Sequence, residues 1–387
     1  MSRQGISREV VLVSLAIFFA DASHSTVIPI FPGFAQNLGA SLTMLGSFGS
    51  ISALTMLLFS LPFGRLSDRL GRKQLMIPGL LLFILVPLSY TYASSPLHLY
   101  PIRMVLRLGL GLTFGNGFLL MTEVSDPESR NTAQGLYMTS MGIGFTVGPL
   151  IGGYAATHYG SNVSFMASAG FGAISLLLLC MVTEKKKPQS IKHRTTTPIS
   201  SILKDNQVIA GGVANILNSL MYNALTLFFP VYGASIGFDE SQIGTGFTVR
   251  GLASTSVRLP VGSLSKHVRA LYLMVVGLVL SSITILGVSQ SHGLTVVSLF
   301  LGVQGIAYGV YLTSGNVYVA LNSDEMNRGT AMAVYSMFGN LSGIVNPLIL
   351  GLIAESFGSQ GALRFAALMT LGGVAFVVFL GARTPTR

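Results

Sequence analysis

Apolar runs of about twenty residues, the length a helix needs to cross a bilayer, recur along the whole chain and alternate with short polar stretches. Twelve helical spans are predicted, near residues 9–31, 43–63, 74–93, 98–122, 132–156, 162–182, 207–232, 241–263, 270–289, 294–319, 329–354 and 361–382. Between the second and third lies Leu61-Pro62-Phe63-Gly64-Arg65-Leu66-Ser67-Asp68-Arg69-Leu70-Gly71-Arg72-Lys73, which reads as one tight hydrophilic turn in a chain otherwise poor in charge. A shift of 198 residues gives a fainter copy, Leu259-Pro260-Val261-Gly262-Ser263-Leu264-Ser265-Lys266-His267. The same offset takes Pro32 to Pro230, Gly39 to Gly237, Gly46 to Gly244, Asp126 to Asp324, Arg130 to Arg328, Tyr137 to Tyr335, Pro149 to Pro347 and Gly153 to Gly351. One register kept over that length predicts a duplicated bundle: a half at 1–182, a polar tether at 183–206 and a second half at 207–387. In such parallel repeats the substrate site lies where the halves meet, near the middle of the membrane.

Composition narrows the class. Hydrophobic residues make up 50% of the 387, charged residues 9%, and the mean hydropathy is +0.66, so the expected fold is an all-α membrane protein and not a soluble domain. Of the 23 Lys and Arg, 18 fall in the tails or in connections that follow even-numbered spans. By the positive-inside rule this places both termini in the cytoplasm of a multi-pass cell-membrane protein. The net charge of +10 is then topological and asks for no nucleic-acid partner, while Lys185, Lys186 and Lys187 of the tether suit anionic lipid headgroups. Asp21 and His24 interrupt the first apolar run, which is kept as a true span and not a signal peptide. The single Cys180 allows neither an internal disulfide nor a thiol metal site. No phosphate loop, metal-spaced histidine pair or Gly-x-Ser-x-Gly elbow is present, so neither an enzyme, a cofactor nor an ATP-driven pump is expected.

The stretch from Gly64 to Lys73, with Asp68, Arg69 and Arg72, resembles the signature between helices 2 and 3 of the major facilitator superfamily, and the likeness extends over the whole chain. Gly135, Gly144, Gly148-Pro149 and Gly152-Gly153 are similar to that family's antiporter motif in helix 5. The resemblance implies the major facilitator fold, twelve transmembrane helices in two pseudo-symmetric six-helix bundles, and points toward drug or metabolite export by antiport. It also implies that Asp68 is a cytoplasmic latch, meeting basic residues and the positive end of the helix that begins near Arg328. Only the first half keeps that latch, because Lys266 stands at the matching position of the copy. In physical terms, glycines at 144, 148 and 152 share one helix face and let a neighbouring helix come close, and Pro149 permits a bend.

Few charges remain inside spans: Asp21, Arg103, Arg107, Arg250 and, nearer the inner surface, Arg258 and Glu123. Each costs roughly 2.5–3.5 kcal/mol near mid-span, an expense that structure alone seldom requires. Asp21 and Arg107 lie at similar depths in helices 1 and 4, at ~1.5 Å of rise per residue. Arg103 aligns with the family's helix-4 arginine, whereas Arg107 stands where that motif usually has glycine, so either can partner Asp21. A carboxylate about 4 Å from a guanidinium gains about 4 kcal/mol at an effective dielectric near 20. Such an acid stays ionised while paired and takes up a proton when the pair opens. Asp21 is therefore the expected proton carrier; the alternative is a static ion pair bracing helices 1 and 4. His24 and Ser25 follow on the same face, His24 as a proton relay or as a histidine simply hydrogen-bonded in a polar cavity, and Pro29 lets helix 1 bend.

Arg250, in helix 8, has no acid in the second half to neutralise it within the membrane. The cavity is then positive and favours an anionic or zwitterionic group, unless Arg250 snorkels or bonds helix carbonyls. Polar stripes at Asn215, Ser219, Tyr222 and Asn223 in helix 7 and at Gln304, Tyr308 and Tyr311 in helix 10 suit a cavity lining, with packing an equal alternative for each tyrosine. The expected function is proton-coupled export of a small amphipathic compound by a monomeric transporter whose halves rock. The alternatives are exchange or uniport of organic anions in an arginine-lined cavity and, from another class, a receptor or scaffold with a transporter fold.

Overall fold

The computed structural model describes residues 7–183, 202, 205–265, 267–323 and 328–382. Most of the tether at 183–206, together with Lys266 and Asp324, lies outside the described residues. Within them the chain is helical, with no strand. The first half runs α1 (Arg8–Thr26), a short α2 (Phe31–Asn37), α3 (Leu42–Leu70), α4 (Arg72–Tyr90), α5 (Leu99–Val124), α6 (Arg130–Tyr159) and α7 (Ser161–Cys180). The second runs α8 (Asn206–Asn223), α9 (Phe229–Ser235), α10 (Glu240–Leu264), α11 (Ala270–Gln290), α12 (Leu294–Leu321) and α13 (Arg328–Ala382).

Nine helical segments among the described residues are long and apolar enough to cross a membrane. The last of these, α13, holds 55 residues and changes direction at Gly358, whose φ of 74° and ψ of 170° leave the helical region, so it makes two spans. Two further helices, α6 and α10, are long enough to span but less apolar, with glycines and threonines through the first and Arg250 and Arg258 in the second. Together these are the twelve expected spans.

Helix breaks follow the repeat. Span 1 gives way to a run of turns over residues 27–30, with Val27 and Ile30 still in right-handed helical backbone, and resumes as α2 with Pro32 in its first turn. Span 7 does the same 198 residues later: Ala224–Phe228 form a π-helical turn, and Pro230 opens α9. Proline lacks the N–H that would continue the ladder but is tolerated in a first turn. In the last turn of α1, before the break, Ser25 Oγ donates to the Asp21 carbonyl at 2.7 Å and Thr26 Oγ1 to the Ala22 carbonyl at 2.6 Å.

One expectation is corrected. The Leu61–Lys73 stretch is not a loop: α3 continues through Asp68 and Arg69 to Leu70, Gly71 alone breaks it at φ 103°, and α4 starts at Arg72. Charged residues at a membrane surface sustain a helix as well as they sustain a turn, so hydropathy marks the membrane edge and not the helix end.

The chain resolves into two compact units that do not follow the half boundary throughout. Phe238–Thr248, at the start of α10, belongs with the unit built on the first half, and Ser41–Ser50, at the start of α3, with the unit built on the second. In the first unit α1 packs on α6 and α7, and α4 on α5 and α7. There Gly244 lies against the Pro149 carbonyl and Gly153, and Thr248 Oγ1 donates to the Thr146 carbonyl at 3.0 Å. In the second unit α8 packs on α13, and α11 on α12 and α13. There Gly46 lies against Pro347 and Gly351, and Glu355 accepts the Thr43 amide at 3.0 Å, capping α3. The residues that mark the repeat in the sequence thus build the same helix contact twice.

Candidate functional site

In the first unit the site is the seam between α1 and α6. Asp21 is 5% exposed, and the glycines of the antiporter-like motif form the wall facing it. A Cβ added at Gly144 would fall 2.5 Å from the Phe18 carbonyl and 3.0 Å from Asp21 Cβ; one at Gly148 would fall 2.6 Å from the Ala22 carbonyl and collide with Ser25 Oγ; one at Gly152 would collide with the Thr26 carbonyl. Ser25 Oγ also lies 3.1 Å from the Gly144 carbonyl across the seam. Two features that were separate in the sequence, a buried acid and a glycine stripe, are therefore one contact. Pro149 and Gly153 face the other way, toward the start of α10.

His24, one turn beyond Asp21, is enclosed beside Phe83, Val86, Tyr90 and Leu106, and its Nδ1 is buried without a hydrogen-bond partner. Arg103 and Arg107 on α5 are within electrostatic reach of this ring, and the Arg103 guanidinium lies 4.1 Å from the centre of the Phe31 ring. Tyr137 on α6, absent from the sequence-based site, is within electrostatic reach of Asp21 and donates to the Phe114 carbonyl at 2.6 Å. Only its place in the repeat singled it out beforehand.

At the α3–α4 junction the organising residue is Arg72, 6% exposed. It meets Asp68 at 2.8 Å, Glu123 of α5 at 3.2 Å and Ser67 Oγ at 2.5 Å, and Ser67 in turn contacts Asn116. Asp68 itself is largely exposed, as are Gly64 and Arg69. Glu123, read from sequence as a charge near the inner surface, and Asn116 are the partners that the motif alone does not reveal. Lys73 Nζ donates to the Cys180 and Val182 carbonyls at 2.9 and 2.6 Å, closing the C-terminal end of α7. Arg328, in the second unit, donates to the Ala320 carbonyl at 2.9 Å.

The second unit holds the other cluster. Arg250 is 1% exposed. Its Nε donates to Gln304 Oε1, whose amide donates to Ser281 Oγ at 2.9 Å. The guanidinium lies 4.8 Å from the Tyr308 ring and 5.7 Å from the Tyr222 ring, and those rings stack at 6.0 Å. Helices α10 and α12 come together here because Gly305 and Gly309 face the Arg250 and Ser254 carbonyls. No carboxylate among the described residues pairs with Arg250.

The rest of the predicted lining divides. Tyr311 is buried against Tyr335, hydroxyl to hydroxyl at 3.1 Å, and Asn215 donates to the Tyr335 carbonyl at 2.9 Å, so both brace α13. Ser219 and Asn223 stay half-buried and share a 3.4 Å bond.

Comparison with known proteins is consistent with this architecture. The Major Facilitator Superfamily model matches residues 13–239 and 211–387. An uncharacterized MFS-type transporter of Methanocaldococcus jannaschii is 18% identical over 372 residues, covering 95% of this chain and 96% of the relative. The multidrug resistance protein MdtG of Salmonella typhimurium is 24% identical over 383 residues, covering 95% and 93%. Among solved structures, the nucleoside transporter NupG superposes with a TM-score of 0.79 at 12% identity over 98% of this chain and all of that one. A bacterial homolog of the human lysosomal transporter Spinster, captured inward-facing and unoccupied, gives 0.77 at 15% identity over 99% and 96%. With both halves covered by the family model and the whole chain sharing the fold, this chain belongs to the Major Facilitator Superfamily of membrane transporters, which are not enzymes.

Proposed function

We propose that the protein is a proton-coupled antiporter that exports a small amphipathic compound across the cell membrane, with both termini cytoplasmic and each molecule working as a monomer. Residues 1–182 and 207–387 rock about the middle of the membrane, tethered by 183–206. The observation that carries this reading is Asp21, a buried carboxyl set into the seam between α1 and the glycine face of α6. A helix that slides along a glycine stripe changes the surroundings of any acid in the stripe, and an intramembrane acid whose surroundings change exchanges its proton. In this reading Asp21 pairs with Arg103 or Arg107 in one state and holds a proton in the other, His24 passes protons along the same face, and Gly144, Gly148, Pro149, Gly152 and Gly153 let the seam move. Gly64, Asp68, Arg69 and Arg72 set the inner gate. Kinship with a multidrug resistance protein supports a drug-like substrate.

The test is compound-induced proton release from inverted vesicles carrying an imposed pH gradient. Wild type releases protons when a substrate is added; Asp21→Asn loses that release by tenfold or more while still binding the compound. Intact gradient-driven transport in Asp21→Asn would sink the assignment. A second reading, exchange of organic anions without protons, is favoured by Arg250, whose charge has no acidic partner among the described residues; there neutralising Arg250 abolishes transport and Asp21→Asn does not.

A further inference from the structure

Of the buried polar side-chain atoms that lack a hydrogen-bond partner among the described residues of the second unit, three lie in line on α10. Arg250 Nη2, Ser254 Oγ and Arg258 Nε each lack a partner, and residues four apart share a helix face. The row spans about 12 Å of α10 at ~1.5 Å per residue, with two positive charges at its ends and no carboxylate among the described residues paired to either. A buried donor without a partner is costly, a buried cation more so. A structural arginine would have spent its donors on helix carbonyls. Arg250 instead has Nε fixed by Gln304, Gln304 fixed by Ser281, and Nη2 left open, which is the pattern of a group held in place for something that arrives later.

We propose that this face of α10 is an anion-binding track and that the exported compound is an amphipathic aromatic acid. Its carboxylate is held by Arg250 Nη2 and its ring extends the stack of Tyr222 and Tyr308, with Ser254 and Arg258 relaying the anion along the helix. The proposal rests on the exporter reading above and names its substrate class. With Nε already engaged, Arg250 cannot offer its side-on fork, so the site suits one oxygen of a monoanion better than a dianionic phosphate. The two tyrosines are half-buried and stacked at 26° to one another, so a flat ring can slide against them, and the guanidinium over those rings is itself oriented by cation–π attraction.

The test uses purified full-length protein in nanodiscs and three matched probes: 2-naphthoate, its neutral amide and the corresponding naphthylmethylammonium, with binding read by titration calorimetry. In wild type the acid binds at least tenfold tighter than the amide and the amine does not bind, a comparison that needs no variant. Arg250→Gln, checked for monodisperse folding, erases the preference for acid over amide, and Arg258→Gln reduces it several-fold. Absence of naphthoate binding, equal binding of acid and amide, preference for the amine or an acid preference that survives Arg250→Gln overturns the proposal. Naphthyl phosphate binding more tightly than naphthoate overturns the carboxylate assignment. Counterflow of naphthoate in proteoliposomes at equal pH on both sides separates this from proton coupling. Acid-selective counterflow without any gradient-driven transport defeats the antiport reading and supports the track. Gradient-driven transport of the neutral or cationic probe alone supports antiport and defeats the track.

Discussion

At the scale of single residues, the interior charges and glycines are set by what touches them more than by what they are. Gly148 and Gly135 belong to one motif, yet a Cβ at the first runs into Ser25 and Ala22, and a Cβ at the second meets nothing within 4 Å. Gly148→Val should therefore destabilise the protein by roughly 1–3 kcal/mol, the usual range for overpacking, seen as a lowered thermal midpoint in detergent, while Gly135→Ala leaves the midpoint unchanged. Arg72 and Asp68 form a similar contrast. Removing Arg72 in Arg72→Gln strips Glu123, Ser67 and Asp68 of a shared donor and should cost roughly 1–3 kcal/mol; Asp68→Asn, at an exposed carboxylate, should cost less than about 1 kcal/mol. Equal losses in the same thermal assay would show that Arg72 is not the organising member of the motif.

At the scale of elements, the repeat extends to backbone geometry. Gly160 ends α6 at φ 87° and ψ 160°, and Gly358, 198 residues later in the same register, turns α13 at φ 74° and ψ 170°. That region of conformational space is essentially reserved for glycine, and neither position has a neighbour within 4 Å of an added Cβ. Gly160→Ala and Gly358→Ala should thus each cost roughly 1–3 kcal/mol through strain alone, measurable as matched drops in thermal midpoint. An alanine tolerated at one but not the other would break the equivalence of the two halves. Hydropathy and register made the spans, the duplication and the motif glycines readable in advance. They do not reveal the π-helical turn in span 7, although Pro230 repeats Pro32, because a proline permits a break without specifying its form. Nor did they assign Tyr311 to Tyr335 or Glu123 to Arg72: such pairings depend on how distant helices rotate toward each other, and a one-dimensional period holds no record of that.

At the scale of the whole molecule, basic residues crowd the connections that follow even-numbered spans, and orientation is expected to follow them. Because Cys180 is the sole cysteine, Cys180→Ser gives a background on which single cysteines at Ser94 and Ser265 can be labelled with a membrane-impermeant maleimide in intact cells. Ser94→Cys should react and Ser265→Cys should not; the reverse pattern would invert the topology and with it the direction of export. The fold was legible at this scale because a membrane imposes one length and one charge rule on every span. The site was legible only as a set of charges, since the sequence offers Arg250 no intramembrane acid in its own half but does not show that Gln304 and Ser281 hold it still.

The single-glycine joints at 160 and 358 leave almost nothing between the helices they connect. Each bundle therefore presents a hairpin with no slack, where a protease has no extended segment to grip and an inserted epitope tag would have to unwind a helix before it could be displayed. Reporter tags and cleavage sites intended for that side of the protein are better placed at the longer connection around Tyr92–Ser95.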